Sequence, residues 1–355
     1  MSASPVVKPP RRLLILRFSA LGDVAMTVPV VASLAAQYPQ MQITVASQPF
    51  LAPLFKHIAP NVQFFGADIR KTYRGLRGLW QLSRTAPFID CDAVADLHDV
   101  LRTKILRCFL RLRGKRVTVI DKHRREKRLL VEHKIFRPLP TSFALYAETL
   151  ARLGLPVKLN FERLKLGGDA LHLPFPFSTD TLHEPWLGLA PFAAHEGKIY
   201  PLEQMTEVVQ LYFELHPHGR LFVFGSRKEM EMLRPTWGKG FERLVFVCDL
   251  LKGLDAELQL MARLNAMVSM DSGNMHLASL VGCPVVSIWG QTHPFAGFMG
   301  YHQAEENVVQ QDLHCRPCSI FGNAPCRYGD FRCLRDILPQ LIIDKVEEII
   351  SPEQD

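Results

Sequence analysis

Several features that would define other classes of protein are missing from this 355-residue sequence. No apolar run reaches the about 18 residues that a membrane-spanning helix needs. The sequence contains no Gly-Lys-Ser/Thr ending of a Walker loop and no three-glycine dinucleotide fingerprint, which excludes those two nucleotide-binding motifs. It also contains no internal repeat and no low-complexity tract, which excludes the repeat architectures.

The N-terminal segment is similar to a secretory signal only in having basic residues, Lys8, Arg11 and Arg12, ahead of the apolar letters LLIL. Arg17 and Asp23 interrupt the apolar stretch, and no small-residue cleavage site follows. We therefore expect this segment to form the first strand of a cytoplasmic protein.

The composition is that of a soluble globular protein, with 48% hydrophobic and 22% charged residues. A chain of this length is expected to form two domains. The formal charge of +7 is concentrated in Arg102–Arg137. This basic segment is either a solvated surface or a patch for anionic partners such as phosphorylated lipid, acidic sugar, membrane or nucleic acid. Aromatic residues are sparse within it, which does not favour a groove for single-stranded nucleic acid.

Strand and helix patterns alternate along the chain, which predicts α/β architecture with parallel sheets. The predicted strands are 13–18, 42–46, 62–65, 93–97, 116–119, 186–190, 221–224, 244–247, 266–270 and 284–289. The predicted helices are 24–37, 50–57, 76–84, 100–112, 142–153, 201–215, 227–233, 255–264 and 338–350. A proline-rich stretch breaks the alternation, so we predict domains at 1–165 and 185–337, a linker at 166–184 and a C-terminal helix at 338–355.

The segment Asn265–Trp289 reads as strand, tight turn, helix and strand. Asp271, Ser272 and Gly273 form the turn, and His276 lies in the first turn of the helix. Free backbone N–H groups and the positive end of the helix dipole point outward there. Such a turn is suited to a phosphate or diphosphate.

A second turn, Ser19-Ala20-Leu21-Gly22-Asp23, directly follows the first predicted strand. Gly22 lets the backbone turn tightly and lets a ligand approach. Asp23 is then either the N-cap of the helix starting near Val24 or a catalytic carboxylate at the mouth of the first sheet.

Together, SALGDVAMTVP and MDSGNMHLASLVGCP resemble the ADP-heptose:lipopolysaccharide heptosyltransferases, glycosyltransferase family 9. The resemblance covers nearly the whole chain and implies the GT-B fold, with two Rossmann-like domains whose parallel sheets face an interdomain cleft. It implies an inverting enzyme without a catalytic metal or cofactor. ADP-heptose would be the donor and an anionic glycolipid, the lipopolysaccharide inner core, the acceptor. Peripheral contact with the inner face of the cytoplasmic membrane is expected, and nucleic acid is not.

By that resemblance Asp23 matches the general base, which takes the proton of the attacking acceptor hydroxyl. Lys198, in a K-x-W-P-like motif with Tyr200 in place of tryptophan, matches the lysine that neutralises the departing diphosphate.

Further predictions concern the donor. By the same resemblance Glu229 matches an acidic residue that contacts the nucleoside ribose. The alternative for Glu229 is a solvated first-turn glutamate, favourable near the helix dipole. The backbone near Asp271, Ser272 and Gly273, the side chain of His276 and Gly22 complete the predicted donor site.

The predicted acceptor residues are Ser19, His98, Arg102 and Arg125. Asp96–Arg102 resembles the acceptor-side loop of the family, and Arg125-Glu126 matches an Arg-Glu pair. Arginine suits bidentate capture of the carboxylates and phosphates of the lipopolysaccharide inner core.

Four of the eight cysteines are closely spaced, at Cys315, Cys318, Cys326 and Cys333. They are interpreted either as a structural zinc site or as free, partly buried thiols, since disulfides are rare in cytoplasmic proteins. Three alternatives to the heptosyltransferase remain. They are a glycosyltransferase of the same fold with another nucleotide-sugar or acceptor, a basic zinc protein that binds nucleic acid, and a non-catalytic sugar-nucleotide sensor.

Overall fold

The computed structural model describes residues 8–167 and 184–351. The chain divides into two compact units, of which the first contains residues up to Arg124 together with Pro140–Lys165. The second contains Arg125–Leu139 and the chain from Leu166 onward. Most of the predicted linker, residues 168–183, lies outside the described residues.

In residues 8–167 strands and helices alternate as the sequence predicts. The strands are β1 Arg12–Leu16, β2 Gln42–Ser47, β3 Val62–Gly66, β4 Ala93–Asp96 and β5 Arg116–Val119. The helices are α1 Leu21–Ala25, α2 Val28–Gln37, α3 Gly75–Leu82, α4 Ala86–Asp90, α5 Leu101–Leu112, α6 Arg124–Val131 and α7 Ser142–Ala151.

The five strands form one parallel sheet in the order β3-β2-β1-β4-β5. Strand order reverses between β1 and β4, because the chain builds outward from β1 on one side and from β4 on the other. The apolar residues of β1 are fully buried, as expected for a central strand covered on both faces. Loops after β1 and β4 therefore meet at the carboxyl edge of the sheet, where ligands of such sheets bind.

The same alternation resumes in residues 184–351. The strands are β6 Trp186–Ala190, β7 Arg220–Val223, β8 Leu244–Phe246, β9 Ala266–Met270, β10 Val285–Trp289 and β11 Val308–Gln310. The helices are α8 Leu202–Leu215, α9 Arg227–Trp237, α10 Val247–Leu250, α11 Leu254–Met261, α12 Gly273–Leu280, α13 Arg332–Arg335 and α14 Pro339–Ile350.

The second sheet is also parallel, in the order β11-β10-β9-β6-β7-β8, with its reversal between β6 and β9. The C-terminal helix α14 packs on α8 and on this sheet, and buries Ile342, Ile343 and Val346 in the second core. Two parallel α/β sheets confirm the predicted fold class.

The structure corrects some local predictions. The helix predicted over 24–37 is two helices, separated at Met26 and Thr27, because Thr27 donates its hydroxyl to the Val24 carbonyl and Pro29 starts a new helix. The segment predicted as helix 50–57 is a 3-10 helix, Pro49–Leu54, with a second proline at position 53. Helices α4, α6, α10 and α13 and strand β11 were not predicted, since they are short or strongly polar.

Candidate active site

In the first unit, the carboxylate of Asp23 lies just beyond the carboxyl end of β1 and is held by an arginine. The Nη2 atom of Arg17 lies 2.5 Å from Oδ2 of Asp23, and Nη1 of Arg17 donates to the Leu97 carbonyl at 2.6 Å. The Arg17 side chain is 7% exposed, whereas that of Asp23 is 32% exposed. A charge-assisted bond from a buried guanidinium therefore orients a carboxylate that solvent still reaches.

Asp23 is the third residue of α1 and not its N-cap. Its Oδ2 accepts the backbone N–H of Ala20, the residue that precedes the helix, at 3.1 Å. Gly22 lies inside α1 and is buried, so the tight turn predicted at Gly22 is wrong. The helix begins earlier than the sequence predicts because the Asp23 side chain satisfies a donor that precedes it.

His98 lies at the end of β4 and contacts Ser19. Its Nδ1 accepts the Phe18 backbone N–H at 3.4 Å, and its Nε2 lies 3.3 Å from Oγ of Ser19. Burial, together with the positive charges of Arg17 and Lys122, lowers the pKa of His98 to about 3. The neutral ring with its proton on Nε2 fits these contacts, so it donates to Ser19 and leaves the Ser19 proton for a ligand.

Acidic residues shape the turn that carries His98. Oδ1 of the fully buried Asp96 accepts the backbone N–H groups of His98 and Asp99, at 2.9 and 3.0 Å. Arg107 of α5 bonds both Asp96 at 3.0 Å and Asp99 at 3.1 Å. Burial and the charge of Arg17 lower the pKa of Lys122, whose Nζ donates to the Asp99 carbonyl at 3.4 Å. The turn is thus fixed by hydrogen bonds to backbone groups.

The two predicted acceptor arginines lie in different units. Arg102 is exposed in the first turn of α5, three residues after Asp99. Arg125 is exposed in α6 and belongs to the second unit. The structure therefore groups Ser19, His98 and Arg102 in the first unit and assigns Arg125 to the other.

In the second unit, Lys198 and Asp271 meet at the carboxyl ends of β6 and β9, the two strands at which strand order reverses. Lys198 ends the 3-10 helix Glu196–Lys198, and its Nζ lies 3.1 Å from Oδ2 of Asp271. Both side chains are largely buried, at 15% and 6% exposure. The predicted loop lysine is thus aimed at the predicted turn instead of extending into solvent.

Helix α12 begins at Gly273, with Ser272 preceding it in extended conformation. The Ser272 side chain makes no capping bond; its Oγ lies 3.3 Å from Oγ of Ser269. Since the Ser269 hydroxyl already donates to the Met270 carbonyl, Ser272 is the donor of that pair. His276 is the fourth residue of α12 and is buried. The first-turn N–H groups therefore lack the serine oxygen that usually caps a helix.

The segment that carries the four clustered cysteines, residues 315–333 (the cysteine-rich segment), approaches the Lys198 side chain at Gly322. A Cβ placed on Gly322 would lie 2.3 Å from Cγ and 2.7 Å from Cδ of Lys198, and Gly322 has a φ of +73°. Gly197 is similarly close to the Gln291 side chain. Oγ of Ser319 accepts the backbone N–H of Gly322 at 2.9 Å, which holds this close approach in place.

Arg316 anchors the same segment to the second sheet. Its buried guanidinium donates to the carbonyls of Gly290 at 2.5 Å, Thr292 at 2.9 Å and Gln311, and to the Gln310 side chain at 3.0 Å. Burial lowers the pKa of Arg316 to about 10. These bonds join the ends of β10 and β11 to the cysteine-rich segment.

Glu229 forms a capping box with Ser226 at the start of α9. Its Oε2 accepts both the backbone N–H and the hydroxyl of Ser226 at 2.7 Å, and its own N–H donates to Oγ of Ser226 at 3.3 Å. This arrangement satisfies the helix end without a ligand.

The four clustered cysteines are free thiols, and Cys333 is the buried one of the four. Across residues 8–167 and 184–351, no three His, Cys, Asp or Glu side chains are placed to hold a metal ion. As they are placed, Cys315, Cys318, Cys326 and Cys333 do not fit the predicted zinc site. In the same ranges no helix is long and apolar enough to cross a membrane.

Some residues at these two sites were not predicted from the sequence. Arg17, Arg107 and Gly322 belong to no recognised motif, although Arg17 interrupts an apolar stretch of the sequence. A charged residue at the end of a buried strand indicates an oppositely charged or hydrogen-bonding partner nearby, because a charge is buried only when it is paired.

Two parallel α/β sheets, each with its own reversal of strand order, are the architecture of the GT-B fold. Residues 90–324 match the model of glycosyltransferase family 9 (heptosyltransferase), and the chain belongs to that family. It is therefore a glycosyltransferase.

The sequence identity to individual relatives is low. The lipopolysaccharide core heptosyltransferase OpsX of Haemophilus influenzae is 25% identical over 303 residues, 80% of each chain. A family 9 glycosyl transferase from Veillonella parvula superposes with a TM-score of 0.72 at 19% identity, covering 96% of this chain and 97% of the other. Escherichia coli heptosyltransferase WaaC, solved with ADP, superposes with a TM-score of 0.59 at 18% identity, covering 95% and 99%.

Proposed function

We propose that the chain transfers a heptose from ADP-heptose to an inner-core acceptor of lipopolysaccharide, with inversion and without a catalytic metal, and that Asp23 is the general base. The observation that carries this proposal is the Asp23 carboxylate, fixed by Arg17 at the reversal point of the first sheet and still 32% exposed. The family match supports glycosyl transfer, and the relative named as a lipopolysaccharide core heptosyltransferase supports the acceptor class.

In this proposal the acceptor hydroxyl attacks the anomeric carbon while Asp23 takes its proton. The bond from that carbon to the diphosphate oxygen breaks on the opposite face, so a single displacement inverts the configuration. The sugar develops oxocarbenium character, as it does in glycoside hydrolysis. Ser19, oriented by neutral His98, donates a hydrogen bond to the acceptor. Arg102 and Arg125 bind acceptor carboxylates or phosphates.

The leaving ADP carries new negative charge on its terminal phosphate. Lys198 and the backbone N–H groups of Ser272 and Gly273, at the N-terminus of α12, neutralise it. Asp271 holds the Lys198 ammonium, 3.1 Å away, in position before the donor arrives. His276 hydrogen-bonds a phosphate oxygen, and the second carboxylate oxygen of Glu229 contacts the ribose. Gly22 is buried in α1 directly before the base, so its part in the proposed site is limited to the helix backbone that carries Asp23.

The test is a pair of variants that separates chemistry from donor binding. Asp23→Asn should lower kcat by about 10²- to 10⁴-fold, because the proton acceptor is lost, and leave ADP affinity nearly unchanged. It also removes the charge partner of buried Arg17, so thermal unfolding of the variant must show that it still folds. Lys198→Ala should mainly weaken ADP binding, by about tenfold or more, because a charge-assisted bond is lost. An Asp23→Asn enzyme with normal turnover would refute the base assignment.

The donor and acceptor are identified by a screen of nucleotide-sugars for thermal stabilisation, followed by mass analysis of the product formed on truncated lipopolysaccharide. Stabilisation by another nucleotide-sugar, or transfer to another glycan, would instead support the same-fold alternative. We further propose a cytoplasmic location with peripheral contact at the inner face of the membrane, because the acceptor is a glycolipid.

A further inference from the structure

Helix α5 has apolar residues on two opposite faces. One face, with Leu106 and Leu110, is fully buried in the first core. The other carries Leu101, Cys108 and Leu112 at spacings of seven and four residues, which aligns them along one side of a helix, with Ile105 between them partly buried against the first core. Leu101 is 74% and Leu112 80% exposed. An amphipathic helix that only covers a core needs no such second stripe.

Helix α3, next to α5, carries two further exposed apolar residues. It packs beside α5, and the Arg113 side chain donates to the Ser83 carbonyl just after α3. On α3, Leu76 is 66% and Trp80 45% exposed, one helical turn apart. We call Leu76, Trp80 and the outer stripe of α5 the α3–α5 face.

The two helices of the α3–α5 face lie in stretches of sequence whose charged residues are all basic. Residues 69–89 and 100–120 contain twelve lysines and arginines and no aspartate or glutamate. The exposed basic residues of the two helices and the positions next to them are Arg74, Arg77, Arg84, Arg102, Lys104, Arg111 and Arg113. The guanidinium of Arg84 lies over the Trp80 ring, 4.7 Å from its centroid.

We propose that the α3–α5 face binds the surface of an anionic phospholipid bilayer. Leucine and tryptophan side chains enter the headgroup boundary, and the surrounding arginines and lysines attract anionic headgroups. A second copy of the chain fits poorly, because two such faces would bring like charges together.

The position of the α3–α5 face also suits a lipid-linked acceptor, an argument that rests on the proposed function. Helix α5 begins at Leu101, three residues after His98. A bilayer in contact with this end of the stripe lies next to the residues proposed to hold the acceptor. A glycolipid headgroup can then reach Ser19 and His98 while its acyl chains stay in the membrane.

The experiment is flotation of the full chain with phosphatidylcholine vesicles, with and without phosphatidylglycerol. The wild type should float with the anionic vesicles only, and added salt should release part of it. Trp80→Ser with Leu112→Ser, and separately Arg77→Glu with Arg111→Glu, should each reduce bound protein by about tenfold.

Matched controls change the same residue classes in the second unit: Leu215→Ser with Met232→Ser, and Lys239→Glu with Lys252→Glu, all at exposed positions. These should bind vesicles like the wild type. Thermal unfolding of every variant identifies any that fails to fold, and Leu112→Gln then replaces the serine variant.

Equal vesicle binding by face variants and controls would overturn the proposal, as would a wild type that does not bind anionic vesicles. Sedimentation showing a wild-type dimer that the face variants dissociate would assign the face to self-association and also overturn it. Heptose transfer to a deacylated, soluble acceptor is measured in parallel. Its absence in the wild type, with vesicle binding intact, would refute the proposed function and leave the membrane face standing.

Discussion

The close approach of Gly322 to the stem of Lys198 allows a sharp test of how the donor lysine is positioned. In Gly322→Ala, the new Cβ would lie 2.3 Å from Cγ of Lys198, whereas ordinary contacts begin at 3.4 Å. The lysine stem must therefore move by about 1 Å, a displacement that can cost about 10²-fold in rate at an active site.

The substitution has a second effect that must be separated from the first. Alanine at a φ of +73° is strained, which costs roughly 1–2 kcal/mol of stability. Gly329 provides a matched control, because it has a φ of +74° in the same segment and a Cβ added there would meet no described residue within 4 Å. Gly329→Ala should suffer a similar loss of stability without displacing Lys198.

The assay compares thermal unfolding, ADP affinity by calorimetry and kcat/KM for the donor in the two variants. We expect both to unfold at lower temperature, and Gly322→Ala alone to bind ADP about tenfold or more weakly, as loss of a charge-assisted bond predicts. Equal ADP affinity and turnover in Gly322→Ala and Gly329→Ala would refute the argument that this segment positions a donor-binding lysine.

Two further predictions use the pKa shifts. Burial lowers the pKa of His98 to about 3 in the folded chain, compared with about 6.5 in the unfolded chain. Between these values only the unfolded chain binds the proton, so the free energy of unfolding falls as pH drops through this range. The Tm of His98→Asn should therefore depend less on pH between 6.5 and 4 than that of the exposed-residue control His218→Asn, and parallel curves would contradict this. Partial burial acts to raise the pKa of the Cys326 thiol, but hydrogen bonds from backbone N–H groups, that of Phe331 first, lower it overall. Burial raises the pKa of Cys283 to about 12. Iodoacetamide at neutral pH should alkylate Cys326 well before Cys283, as followed by peptide mass analysis; the reverse order would exclude this assignment.

The sequence predicted the elements whose patterns are local. The buried central strands appeared as apolar runs, and β5, β6 and β9 have the predicted bounds because charged or turn residues flank them closely. The three-residue strand β11 was missed because so short a segment has no periodicity of its own. Its pairing with β10 is a tertiary effect.

At the sites, the sequence identified side chains but not the partners that orient them. Asp23 and Asp271 were found because each lies between a predicted strand and a predicted helix. Their partners, Arg17 and Lys198, bond them through contacts between loops, and only the first is near in sequence. The clash that forbids a side chain at Gly322 depends on residues more than a hundred positions apart, so no local pattern could reveal it.

The Arg316 guanidinium connects the position of Lys198 to the second sheet. Loops are usually mobile, but the cysteine-rich segment is held by one side chain. The planar guanidinium of Arg316 hydrogen-bonds the ends of two paired strands, β10 and β11. An ammonium at this position has fewer donors and cannot span the same acceptors. The Lys198 side chain is thus restrained by the β-sheet through Arg316, a residue distant from it in the sequence.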